Sequence, residues 1–475
     1  MSSSVRTNFI YKSILTVSTY IIGLITFPYI TRVLGVEKLG LVNFVDNTVN
    51  YFLLFATMGI SILGVRETAS GRADQQKLNS VFSGILGMNM LFTIGVLAVY
   101  VASILAVPQF RQYSQLFWAG AAKIVFTTFL IEWFYTGIEN FKYITIRSII
   151  IKTVYVASVF IFIKGPGDYI LYFVLTVASV VLNAAVNLVY ARRYVSFRAR
   201  DIFPLRFLKE NLTLGTYLIL NSMYSTFNVI FLGFVSDNVQ VGYYTTAFKL
   251  YSIVLAFFTA FTNVMLPRMN ALLSMNDREG FRSMADNSFS ILYTFSIPLI
   301  IFSMIFAPQI VRIIAGEGYG EAVLPMTVIM PAALMVGIAQ ILAVQILTPL
   351  KKDNVLLLAS VVGAVAGISL NLVLVPCLHS IGTAVVLLCS ETAVTCVYIV
   401  YVLRHSITPL HAGIIGRSLL TVLPAAAIWA AAAIFIDHPL LSIASGAAVG
   451  APVWYIINSR TRGSALKLLI KKRND

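Results

Sequence analysis

The sequence predicts an all-α integral membrane protein of fourteen transmembrane helices, built as two six-helix lobes with two further helices at the C-terminal end. Three observations predict it. Hydrophobic residues make up 59% of the chain and charged ones 11%, with a mean hydropathy of +0.87. No water-soluble core hides that much apolar surface. Long apolar stretches fill almost the whole chain, and its 34 Lys and Arg fall mainly between alternate pairs of them.

A helix needs about 20 apolar residues to cross the hydrocarbon core. Stretches of that kind run over 10–34, 41–66, 80–107, 114–137, 146–163, 169–191 and 213–235. They continue over 242–266, 287–314, 322–349, 354–375, 381–403, 413–436 and 440–458. They are apolar almost throughout and lack strand-like alternation, which favours helices over a membrane β-barrel.

Orientation follows from the basic residues. Clusters such as Arg72 and Lys77, Arg192 to Arg200, Arg278 and Arg282, Lys351 and Lys352, and Lys471 to Arg473 all fall on one side. That side is expected to be cytoplasmic, with both termini on it. The formal charge of +15 is then an orientation signal and an attraction to anionic headgroups. No basic soluble domain exists to hold nucleic acid. No cleavable signal is visible, because Met1–Lys12 runs straight into an apolar span. Cys377, Cys389 and Cys396 lack metal spacing and read as small apolar residues.

The loops on the outer side are short, as at Gly35–Gly40, Pro108–Tyr113, Gly165–Asp168 and Ser236–Val241. None can carry a catalytic domain, and no phosphate-cradling glycine loop is present. An enzyme is therefore not expected. The inner segments 192–212 and 267–286 read as amphipathic surface helices, with Arg206–Phe207–Leu208–Lys209 in the interface.

The chain reads as duplicated. Leu39–Gly40 and Val241–Gly242 each close an outer loop and open a span with a polar stripe. Asn79–Ser80–Val81–Phe82–Ser83 and Asn287–Ser288–Phe289–Ser290 each open a later span. The expected organisation is an N-lobe at 1–191, a linker at 192–212, a C-lobe at 213–403, and 404–475 as a helix pair with a basic tail. In transporters built from such repeats, substrate sits between the lobes near the midplane.

Polar groups inside the spans mark the candidate site. Asn43, Asp46, Asn47 and Asn50 share one helical face. Thr213, Tyr217, Asn221, Ser225 and Asn228 form a second stripe, and Thr245, Lys249 and Ser252 a third. These stripes either line a wet cavity or hold helices together. A charge at mid-span costs on the order of 2.5–3.5 kcal/mol. Lys123 and Glu391 sit near mid-span, and Asp46 and Lys249 lie about two turns inside the outer end. Lys152 can snorkel toward the inner end of its span. Lys123 and Lys249 therefore either serve a cavity or pair with Asp46 or Glu391. The binding candidates are Arg32, Asp46, Asn47, Asn50, Lys123, Asn228 and Lys249; no catalytic or metal site is expected.

Two stretches carry a resemblance. Thr31–Arg32–Val33–Leu34–Gly35 with Glu37, Leu39 and Gly40 resembles the first loop of Wzx-type polysaccharide flippases. Glu132–Trp133–Phe134–Tyr135–Thr136–Gly137–Ile138–Glu139–Asn140–Phe141–Lys142–Tyr143, followed by Arg147–Ser148, is the more specific match. Gly242–Tyr243–Tyr244 with Ala247 and Lys249 also looks like that family. Members often carry an acidic residue in span 7; here Asn228 precedes Leu232–Gly233. The resemblance implies the multidrug/oligosaccharidyl-lipid/polysaccharide exporter fold. It further implies flipping of a polyprenyl-pyrophosphate-linked oligosaccharide across a bacterial inner membrane, by alternating access. A lipid II flippase or a drug/cation antiporter of the same superfold is the alternative. No bound cofactor is expected, though a proton or sodium gradient could couple to transport. Membrane lipids, a polysaccharide polymerase and a chain-length regulator are the expected partners, and no nucleic acid.

Overall fold

A computed structural model describes residues 5–202, 205–223, 226–408 and 412–460. The described residues are helical and contain no strand. Among the described residues ten helices are long and apolar enough to cross a membrane, or up to twelve if each of two bent pairs is one span. The chain is a multi-pass membrane protein. It divides into two compact units, Met1–Val241 and Gly242–Asp475.

The first unit opens with α1 (Val5–Thr57), which Gly35 breaks at φ 72° and ψ 171°. A side chain at that φ would strain the backbone, so a glycine turns the chain here. Then come α2 (Ile60–Gly71), α3 (Gln75–Ala106), α4 (Pro108–Gln112), α5 (Ser114–Thr127) and α6 (Glu132–Gly137). Asp74 caps α3 by accepting from the Gln76 and Lys77 amides. The unit continues through α7 (Phe141–Phe162), α8 (Tyr169–Ala191), α9 (Leu205–Ser222) and α10 (Thr226–Val235). Leu63, Phe82, Ile85, Trp133, Phe134 and Phe207 share one buried core. Gly64 lets α2 meet the Trp133 ring, which a Cβ there would approach to 2.7 Å.

The second unit holds α11 (Asn238–Ser274, from Gly242 on), α12 (Arg278–Ile305), α13 (Ala307–Ile314), α14 (Val323–Ile329) and α15 (Ala332–Gln340). A π-helical turn at Ile341–Leu347 follows. The pieces on either side of Pro331 meet at 43°. After these come α16 (Asp353–Arg404), α17 (Ala412–Phe435) and α18 (Pro439–Arg460). Gly446 and Gly450, one turn apart on α18, admit the rings of Phe306 and Trp429. Such small residues are what close helix packing in lipid requires. Helix α16 breaks at His379, with φ 47° and ψ −122°. An unbroken helix of 52 residues would run about 78 Å, more than twice the hydrocarbon thickness of about 30 Å.

Two expectations are corrected. The inner segments do not form separate surface helices. Residues 205–212 are the first turns of α9, and 267–286 are the end of α11 and the start of α12. Phe207 is 5% exposed and lies in the core, because its ring packs with the Trp133 and Phe134 cluster. The Arg206 side chain, Ser225 and the tail 461–475 lie outside the described residues.

Candidate functional site

Helix α1 beyond Gly35 carries Asn43, Asp46, Asn47 and Asn50 along one face, as their spacing requires. Helix α5 brings Lys123 to that face. The Lys123 Nζ donates to Asp46 Oδ1 at 2.6 Å and to Asn50 Oδ1 at 2.8 Å. Asn50 Nδ2 closes the ring by donating to Asp46 Oδ2 at 3.1 Å. The Lys123 side chain is 11% exposed and that of Asp46 29%. Of the two roles open to Lys123, the geometry displays pairing with Asp46.

The close approach of α5 to α1 depends on Gly120, one turn before Lys123. A Cβ there would come within 2.5 Å of Val49 Cγ2 and 2.6 Å of the Tyr100 hydroxyl. Tyr100 is wholly buried and donates to the Phe117 carbonyl at 2.8 Å. Gly120→Val is expected to destabilise the unit by about 1–3 kcal/mol through overpacking. Thermal unfolding in detergent checks this, and an unchanged midpoint would show that α1 and α5 are not in this contact.

The other candidates are placed as follows. Asn47 Nδ2 donates to the Asn43 carbonyl at 2.8 Å. Arg32 is exposed on the other arm of α1 and donates to the Pro28 carbonyl at 2.7 Å. Asn228 is fully buried in α10, which packs against α1. Lys249 lies in the second unit. It is exposed, and it makes no hydrogen bond or ion pair among the described residues. The structure thus joins Asp46, Asn50 and Lys123 into one cluster, sets Asn47 beside it on α1, and leaves Arg32, Asn228 and Lys249 outside it.

A second polar knot was not assigned to the site from sequence. The helix that begins with α5 breaks at Thr128–Leu130, and Ile131 adopts φ 40° and ψ 33°. A β-branched residue in that region is strained. Carbonyls freed at the break need partners inside a membrane. Asn89 Nδ2 donates to the Thr128 carbonyl at 3.4 Å, and Asn187 Nδ2 donates to the Leu130 carbonyl. Arg147 then ties the break together. Its Nη2 meets Glu132 Oε1 at 2.6 Å, and its Nη1 donates to Asn187 Oδ1. Tyr143 donates to Asn187 Oδ1 at 3.0 Å and Tyr135 to the Asn187 carbonyl at 2.6 Å. The signal in the sequence was the Glu132 to Ser148 stretch itself; the partner Asn187 left none.

A cavity of about 420 Å³ opens beside this knot, lined in part by Thr19, Glu132, Ser148, Lys152 and Asn183. Lys152 donates to Thr19 Oγ1 at 2.5 Å. Cations and amides at helix breaks suit binding of anionic and hydroxyl-bearing groups. They do not form a nucleophile–base pair.

A family model described as polysaccharide biosynthesis protein matches residues 5–273. The chain belongs to this family. A protein of Escherichia coli (strain K12) named "Putative O-antigen transporter" is 23% identical over 414 residues, covering 85% of this chain and 98% of the relative. A protein of the same name from Shigella dysenteriae is 23% identical over 360 residues, covering 73% and 87%. Among solved structures, the lipid II flippase MurJ in an inward closed conformation superposes with TM-score 0.78. That match covers 95% of this chain and 98% of MurJ, at 13% identity. An outward-facing multidrug resistance MATE family transporter of the MOP superfamily gives TM-score 0.58 at 16% identity, covering 84% and 94%. This family member therefore has the all-α, multi-pass membrane fold that the sequence predicted. The Glu132 to Ser148 stretch, which carried the resemblance, is within the matched segment.

Proposed function

We propose that this protein flips a polyprenyl-pyrophosphate-linked oligosaccharide across the bacterial inner membrane. Fourteen crossings, with α1 and α16 each counted twice, would form lobes at 1–191 and 213–403 that alternate access. The segment 192–212 would link them, and 404–475 would add the last pair and tail. A pyrophosphate and its hydrated sugars cannot enter hydrocarbon unaided. The observation that carries the reading is a pair of lysines in membrane-length helices, one held by a carboxylate and one with no counter-ion among the described residues. Lys249 would meet the pyrophosphate directly as a point charge. Lys123 would be reached by exchange, with a phosphate oxygen replacing Asp46 Oδ1 on its Nζ. Asp46, once released, would be the group through which a proton or sodium gradient acts. Asn47 and Asn50 would bond sugar hydroxyls, and Arg32 and Asn228 would complete the set.

The reading is of transport rather than of an enzyme. Near-complete overlap with a lipid flippase fold, together with the polysaccharide family, favours it over drug or cation export. The test is reconstitution. Proteoliposomes holding this protein should move a labelled undecaprenyl-pyrophosphate oligosaccharide between leaflets. Equal movement in protein-free vesicles would overturn the proposal.

Both termini and the segment 192–212 are proposed to be cytoplasmic, because Lys and Arg concentrate there. Ser196→Cys or Ser464→Cys should react with an impermeant maleimide only after the membrane is opened. Labelling in intact spheroplasts would reverse the orientation.

A further inference from the structure

Three turns of the second unit come together at the same ends of its span-length helices. The first joins α11 to α12 around Asn276, the second precedes α16 at Lys351, and the third follows α16 at Ser406. Each of these three residues has positive φ, at 56°, 55° and 49°. Such left-handed residues end helices sharply and fold the chain back at once. The turns enclose a cavity of about 390 Å³.

Arg278, Arg282 and Lys352 line that cavity, and among the described residues no carboxylate does. Some arginines of this chain take carboxylate partners, as in Arg66–Glu210, Arg72–Glu139 and Arg147–Glu132. Among the described residues none of these three cations forms an ion pair. The neighbouring Asp277 instead accepts from the Gly280 amide at 2.8 Å, and Asp286 accepts from Thr408 Oγ1 at 2.7 Å. Arg282 is positioned by its bond to the Ser406 carbonyl at 3.0 Å. The His405 ring stacks on Tyr401 with centroids 4.1 Å apart and forms a wall. Leu273, Leu350 and Ile407 supply the apolar remainder. The N-terminus of α12 adds its positive dipole end to the same place.

We infer that this cavity binds the phosphodiester headgroup of an anionic phospholipid. The occupant follows from the surroundings. Three cations with no counter-ion among the described residues favour a phosphate. Their place at the ends of membrane-length helices is the headgroup layer, and the apolar side chains beside them suit the glycerol and first acyl carbons. The proposed orientation makes the leaflet the cytoplasmic one, but the site itself does not depend on that orientation or on the transported substrate.

The full chain in detergent is titrated with phosphatidylglycerol and, separately, with phosphatidylcholine, and bound lipid is counted by native mass spectrometry. Phosphatidylglycerol should bind more tightly. Each neutralised cation should weaken it about fivefold, so Arg278→Gln with Lys352→Gln should weaken it about 25-fold. Arg282 is left intact because it also holds the Ser406 turn. Arg278→Lys with Lys352→Arg should keep most of the affinity, which separates lost charge from lost folding. Lys77→Gln with Arg192→Gln, two cations of the other unit, should change it little. Equal affinity for the two lipids, an unchanged Arg278→Gln/Lys352→Gln variant, or an equal loss in the Lys77→Gln/Arg192→Gln control would each overturn the inference. Failure of flipping in the vesicle assay would leave this result untouched.

Discussion

Asp46→Ala is expected to lower the stability of the protein by about 3–5 kcal/mol, because it leaves the Lys123 ammonium buried without its counter-charge. Lys123 is 11% exposed on its side chain, and its bond to Asp46 is 2.6 Å long. Asn50 would remain, but a neutral amide oxygen does not compensate a buried cation. Adding Lys123→Met should restore most of the loss, since an apolar side chain replaces a buried ion pair at little net cost. The measurement is the thermal midpoint of purified protein, with membrane abundance as the cellular counterpart. The double variant should be well folded and yet fail to transport if Lys123 exchanges its carboxylate for a phosphate. If Asp46→Ala melts with the wild-type protein, the ion pair contributes nothing and Lys123 is solvated. If the double variant transports normally, Lys123 has no part in handling the substrate.

Much of the fold was legible because hydropathy acts through length alone. A stretch such as 80–107 or 287–314 needs no partner to declare itself a helix in lipid. The outer turns were legible for the same reason, and Gly35 marks one of them with the only residue type that takes its φ freely. The inner turns misled. Basic, amphipathic composition at 192–212 suggested a separate surface helix, yet Phe207 sits in the core. Composition could not say whether a polar stretch starts a new helix or extends an old one. The break at Thr128–Leu130 was hidden too, because residues 114–137 remain apolar across it and no proline or glycine marks Ile131. What permits the break is Asn89 and Asn187, which are distant in sequence and meet the freed carbonyls only in the folded chain. Of the candidate site, the stripe on α1 was readable from its spacing. The union of Asp46 with Lys123 was not, because two cations and two carboxylates allow several pairings and only packing through Gly120 selects one.

Lys249 should behave in the opposite way to Asp46. It is exposed in α11 with no ion pair or hydrogen bond among the described residues. Removing it therefore strands no buried charge, and Lys249→Ala should reach wild-type abundance and melt normally. Its stripe neighbours do not depend on it, since Ser252 donates to the Phe248 carbonyl at 2.7 Å within its own helix. Transport is where the change should register. A charge-assisted contact to phosphate contributes about 1.5–3 kcal/mol, so Lys249→Ala should slow flipping by roughly 10- to 100-fold. Lys249→Glu should abolish it, because a carboxylate repels the pyrophosphate as well as failing to neutralise it. Lys249→Arg should keep partial activity, since the charge is retained while the compact ammonium geometry is lost. Surface polysaccharide in a deletion strain, normalised to protein abundance, reads all three. Wild-type transport by Lys249→Ala would remove Lys249 from the binding site. A fall in abundance that accounts for the whole loss would assign it a structural role instead.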